Sequence, residues 1–205
     1  MESNQAAENL QVIRTLMERS ALYRRALAPI MTFCGALGIV AGILGHQLQL
    51  ESSRPFLLLW VTTAGLAFVG TLLLVRRQAV KDAEPFWSPP TRRVAMALSP
   101  PFVVALFISL FALEPEKSLS SPSFLVLLWV LLYGCGLHAA GFFISRGFQM
   151  LGWFFCLAGF GIFLCAWFGI GFRTSSNLLM GALFGGLHLA AGVYLYFTES
   201  RKNVA

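Results

Sequence analysis

Six stretches of the chain, 26–50, 55–75, 94–113, 118–145, 147–172 and 174–198, run 20 or more residues without an Asp, Glu, Lys or Arg. A helix rises about 1.5 Å per residue, so roughly 20 residues cross the ~30 Å hydrocarbon core of a bilayer. No comparably long uncharged segment suits the surface of a soluble domain, and six in one chain predict an all-α, six-span membrane bundle. Composition agrees: charged residues are 12% of the chain, about half the usual share of a soluble domain, and apolar residues reach 57%. The predicted spans are 27–46, 56–75, 94–113, 124–145, 150–171 and 178–198, forming one membrane domain over 27–198 between a head, 1–26, and a tail, 199–205.

The positions of the 15 basic residues orient these spans. Arg14, Arg19, Arg24 and Arg25 precede the first, and Arg76, Arg77, Lys81, Arg92 and Arg93 occupy the second connection. Arg146 follows the fourth, and Arg201 and Lys202 follow the last. The other three connections hold Arg54, Lys117 and Arg173, one each. Twelve basic residues against three is the asymmetry of a chain with both termini in the cytoplasm. The net charge of +6 is accounted for by that topology and by anionic headgroups, with no call for nucleic acid. Trp60, Trp129 and Trp167 fall toward the outer ends of spans, and Tyr23, Trp153, Tyr194 and Tyr196 toward the inner ends, as aromatic belts require.

The head reads as a short amphipathic helix in the membrane interface, with Leu10, Ile13, Met17 and Ala21 on one face. Its run Glu8-Asn9-Leu10-Gln11-Val12-Ile13-Arg14, followed by Leu16-Met17-Glu18-Arg19 and Tyr23-Arg24, resembles the head of a group of uncharacterised bacterial multi-pass inner-membrane proteins. The resemblance covers about 25 residues and, more loosely, the histidine segments of spans four and six. It implies a bacterial inner-membrane setting and brings no activity with it.

Within the spans, His138 and His188 are the conspicuous ionisable groups. Tyr133-Gly134-Cys135-Gly136-Leu137-His138-Ala139-Ala140-Gly141 and Phe184-Gly185-Gly186-Leu187-His188-Leu189-Ala190-Ala191-Gly192 both read Gly-Leu-His and then Ala-Ala-Gly, with one residue inserted in the second copy. Both helices run from outside to inside, so the match suggests repeated hairpins made of spans three/four and five/six. Gly134 and Gly141 share a face with His138, as Gly181, Gly185 and Gly192 do with His188. Small residues there serve close packing, in which a buried imidazole can hydrogen-bond a neighbouring carbonyl or hydroxyl. The sharper reading is cofactor binding: two histidines facing each other across a glycine-lined space could ligate a haem iron. His46, ~15 Å away in depth at 1.5 Å per residue, reads as an interfacial residue rather than a third metal ligand.

Other signals concern packing. Gly35, Gly38, Gly42 and Gly45 line one face of span one and predict close association with another span or a second copy of the chain. Pro100 and Pro101 predict a kink or break in span three. Phe86, Trp87, Pro89 and Pro90 in the basic second connection predict surface anchoring. Cys34, Cys135, Cys156 and Cys165 lie within spans and read as small packing residues. With no GxSxG, HExxH, P-loop or intramembrane acid pair, the sequence leans away from an enzyme. The leading expectation is a non-catalytic subunit or regulator binding partner proteins or lipid. A transporter of a neutral or lipid-like substrate and a bis-His haem redox protein are the alternatives.

Overall fold

The computed structural model describes residues 26–83, 85–113, 121–170 and 174–202. Six helices are long and apolar enough to cross a membrane, and the described residues contain no strand. They are α1 (Ala26–Gln47), α2 (Ser53–Lys81), α3 (Pro89–Phe111), α4 (Pro122–Ile144) and α5 (Arg146–Trp167), followed by a sixth in three pieces. That last helix, α6, is α-helical over Ser176–Met180, widens to a π-helix over Gly181–Gly186 and resumes as α-helix over Leu187–Lys202. The chain is thus an all-α, six-span membrane protein. The amphipathic head and the third connection's Lys117 lie outside the described residues.

Local chemistry explains where the helices start. Ser121 and Ser175 accept hydrogen bonds from Phe124 N and Leu178 N, each at 3.3 Å, satisfying amides that a first turn leaves open. Ser145 serves two helices at once. Its own N–H donates to Gly141 O at 3.0 Å, closing α4, and its hydroxyl accepts from Phe148 N at 3.3 Å, opening α5. A single non-helical residue therefore turns the chain, and α5 begins four residues before the uncharged pattern places span five. The offset arises because Arg146 and Gln149 sit inside the first turn of the helix rather than in a loop before it.

The proline pair does not break α3, which continues through Pro100 and Pro101. Pro100 has no N–H to give to the carbonyl of Met96, four residues back, and Ser99 Oγ donates to that carbonyl instead at 3.1 Å. This local substitution is one of the ways a membrane helix accommodates proline. Pro101 then packs toward Gly136 of α4, where an added Cβ would lie 3.4 Å from its ring.

Helix placement follows from which faces are buried. In the most apolar windows of α1 and α4, 44% and 50% of residues are buried, against 6% for α2 and for α3. α1 and α4 thus form the middle, and α2 and α3 flank it with long apolar faces exposed, including Leu66, Phe68, Leu73, Phe102, Phe107 and Phe111. In a bilayer such faces meet lipid tails and need no further cover. The interior is filled by Phe56, Leu125, Val126, Val130, Leu137 and Phe155. Trp60 is buried at 4% exposure, and Trp129 stacks on Phe56 while donating to Ser109 Oγ at 3.1 Å. The four cysteines are unbridged.

Candidate functional site

Glycine brings two pairs of helices into backbone contact. On α1 and α6, a Cβ added to Gly42 would lie 2.7 Å from Gly181 Cα, and one added to Gly38 would lie 2.9 Å from Gly185 Cα. Gly35 meets the backbone of Leu189, and Gly192 meets Thr32. Thus the predicted glycine face of span one has its partner within the chain. On α4 and α5 the pattern recurs: Gly134 packs on Cys156, Gly141 on Gln149, Gly152 on His138 and Gly159 on Leu131.

The two interfaces share their glycine spacings and contacts. Gly35 and Gly42 on α1 are spaced like Gly152 and Gly159 on α5, and Gly185 and Gly192 on α6 like Gly134 and Gly141 on α4. Gly152 touches the backbone of His138 where Gly35 touches that of Leu189. The structural counterpart of His138 is therefore Leu189, not His188. One residue along an α-helix turns the side chain by about 100°. The two imidazoles consequently leave their helices on different faces, although the sequence motif aligns them. Glycine-packed helix pairs thus recur, α4 with α5 and α6 with α1.

His188, 3% exposed, points from α6 toward α4. Tyr133 Oη and His188 Nε2 are 2.6 Å apart, and His188 Nδ1 lies 2.6 Å from Phe184 O. A carbonyl oxygen can only accept, so Nδ1 carries the proton, Nε2 is the acceptor and the Tyr133 hydroxyl donates. Phe184 belongs to the π-helical segment, so the imidazole ties that widened turn to α4. Phe155 and Phe184 enclose the pair, with centroids 5.5 and 6.5 Å from the imidazole, and Phe102 lies edge-on to Tyr133 at 5.9 Å.

His138 has other company. Its Nδ1 is 3.5 Å from Gln149 O, at the limit of a hydrogen bond, and its ring is edge-on to Phe142 and Trp153, both at 5.3 Å. Both nitrogens of His188 already have partners. Among the described residues, no three His, Cys, Asp or Glu side chains group as metal ligands.

A second polar cluster sits where α1, α2 and α6 meet at the Leu48–Ser52 turn. Asn177 is fully buried. Its Oδ1 accepts from Trp60 Nε1 at 2.9 Å, and its Nδ2 donates to Leu50 O at 2.9 Å and Glu51 Oε1 at 3.1 Å. The Glu51 carboxylate also accepts from Ser175 Oγ and from Ser176 N, the latter at 3.2 Å. A negative group at the start of α6 complements the helix dipole. Gly45 leaves room for the amide, since a Cβ there would lie 2.5 Å from Asn177 Oδ1. Neither Asn177 nor Glu51 stands out in the sequence. The available signal is that Asn177 is a primary amide set just inside an otherwise apolar span.

Replacing Tyr133 by Phe removes the donor to His188 Nε2 and is expected to destabilise the bundle by about 1 kcal/mol, the scale of interhelical hydrogen bonds in membranes. A double-mutant cycle with His188→Leu, read by unfolding in mixed micelles, checks the pairing. Strictly additive losses would show that the two side chains do not act together.

Compared with protein-family models, curated proteins and solved structures, the chain matches none.

Proposed function

We propose that this chain is a non-catalytic subunit or regulator of the bacterial inner membrane that works by binding partner proteins or lipid along its membrane-facing surface, with both termini in the cytoplasm. The observation that carries this reading is how the polar groups of the bundle are used. Tyr133, His188, Trp60 and Asn177 bond one another or backbone carbonyls, and the Glu51 carboxylate is turned onto the first turn of α6. These contacts hold helices together. What remains available for recognition is the outside of the bundle, above all the exposed faces of α2 and α3. The division of twelve basic residues against three supports the orientation.

Reconstitution tests this against transport. Vesicles containing the purified chain are expected to pass glycerol and short neutral solutes, and to exchange labelled phospholipid between leaflets, no faster than protein-free vesicles. Accelerated flux of either kind would replace the reading with transport. Cysteine labelling from outside intact cells checks orientation: a residue beside Arg54 should react, and one beside Arg92 should not.

A further inference from the structure

One side of the α4/α5 seam brings two thiols together. The helices run antiparallel from Ser145, and Gly134, Gly141, Gly152 and Gly159 set them in close contact. His138 of α4 meets Trp153 of α5 there, ring against ring at 5.3 Å. Three residues back along α4 is Cys135, and three residues on along α5 is Cys156. The antiparallel register therefore sets the two cysteines opposite each other, one turn along the same side of the seam. Gly134 draws them close: a Cβ added to it would lie 2.7 Å from Cys156 Sγ and 2.8 Å from Cys156 N. The two thiols, 21 positions apart in the chain, share a side-chain hydrogen bond. Cys34 Sγ, by contrast, faces a hydroxyl, Thr71 Oγ1, at 3.6 Å.

Depth and exposure decide what such a pair can meet. At about 1.5 Å per residue, Cys135 lies ~14 Å from the nearer end of α4 and Cys156 ~15 Å from the nearer end of α5, so both stand near mid-membrane. Cys135 is exposed and Cys156 is half-buried. A redox-sensing thiol is accessible and poised beside a resolving partner, and these two divide those roles. Two cysteines can be bridged only where their Cα atoms come within about 7 Å, the approach that helices packed on glycine provide. A charged, water-soluble oxidant does not follow them into the hydrocarbon, whereas a lipid-soluble quinone does. We infer that Cys135 and Cys156 form a redox site whose oxidant is a quinone dissolved in the bilayer. Cys135 meets the quinone and Cys156 closes the bond. Both S–H bonds break and one S–S bond forms, while two electrons and two protons pass to the quinone oxygens and leave a quinol. The disulfide then bolts α4 to α5 at mid-span. The inference goes beyond the surface-binding reading and gives it an input: a regulator with this pair has two forms, set by the balance of quinone and quinol in its membrane.

The test uses the full chain, reduced and reconstituted without oxygen in phosphatidylcholine vesicles, then treated with decyl-benzoquinone. Wild type is expected to form one quinol per chain, read by absorbance, and to lose the mass of two hydrogens. Cleavage at methionine locates the bond, because Met150 separates the two cysteines: without reductant, fragment 97–150 should stay joined to fragment 151–180 of the same chain. Cys135→Ser and Cys156→Ser should each cut the quinol yield about tenfold or more, whereas Cys34→Ser and Cys165→Ser should leave both the yield and the joined fragment unchanged. Oxidised glutathione, confined to water, should oxidise wild type about tenfold more slowly than the quinone. Size exclusion checks the serine variants, and the joined fragment of wild type remains decisive where a variant fails to fold. A wild type that forms no quinol, or that gains the mass of the quinone instead of losing hydrogen, would overturn the site. So would a link lost in Cys165→Ser, a link formed only between two chains, or equal rates with quinone and glutathione. The vesicle flux measurements address the functional reading separately and do not depend on these outcomes.

Discussion

Leucine at Gly42 is expected to keep α1 and α6 from closing and to destabilise the bundle by roughly 3 kcal/mol. At this position the added side chain meets backbone: a Cβ on Gly42 falls 2.7 Å from Gly181 Cα and 2.9 Å from Asn177 O. Backbone cannot rotate aside as a long side chain would, so the helices must part. Separation then costs the neighbouring contacts at Gly38 and Gly45 as well. Gly185→Leu should behave alike, because its Cβ would lie 2.5 Å from Ile39 N. Gly65 is the internal control. It occupies an exposed position of α2 with nothing within 4 Å of its Cβ direction, so Gly65→Leu should shift stability by less than about 0.5 kcal/mol. Unfolding in mixed micelles, with monodispersity on size exclusion as a second readout, separates the cases. Equal stability of Gly42→Leu and Gly65→Leu would show that the α1–α6 contact does not hold the fold together.

The second large effect belongs to Asn177. Substitution by Leu keeps much of the volume but strands three partners at once: the Trp60 N–H, the Leu50 carbonyl and one bond to the Glu51 carboxylate. A buried polar group left without its partner costs about 1–3 kcal/mol, more where charge is involved, so a total near 3 kcal/mol is expected. Ala adds a cavity to the same loss and should be worse. Trp60→Phe in the Asn177→Leu background removes one of the stranded donors and should recover part of the deficit. A Trp60→Phe change that makes the Asn177→Leu protein worse would contradict the network. The same thermal and chemical unfolding measurements in detergent decide it.

How much of this was readable beforehand depends on the range of the interaction. The six spans follow from the charge-free stretches because the bilayer judges each segment largely by itself. The purpose of Gly35, Gly38, Gly42 and Gly45 was legible for the same reason, since a small-residue face on a helix is a local pattern. Its partner was not, because Gly181 and Gly185 lie at the far end of the chain and nothing local links them to α1. The histidine motif and the glycine contacts give different alignments. Aligning the letters sets His138 against His188, whereas packing is governed by the paired glycines, and relative to those His188 is displaced by one residue. Trp60 illustrates a different limit: its place toward one end of the span is a local pattern, whereas the burial of its indole involves Asn177, 117 positions later, which presents an acceptor to it.

The closing of α1 on α6 also has a consequence for the order in which the protein is made. α4 and α5, joined by Ser145 alone, can pair as soon as the ribosome has released them, much as a local hairpin does. α1 precedes α6 in the chain, so its glycine face stays unmatched until α6 has been made. A message truncated after α5 would therefore yield five correctly inserted helices and an open bundle, with Gly38 and Gly42 unmatched. α6 thus completes the packing of α1 rather than merely adding a sixth span.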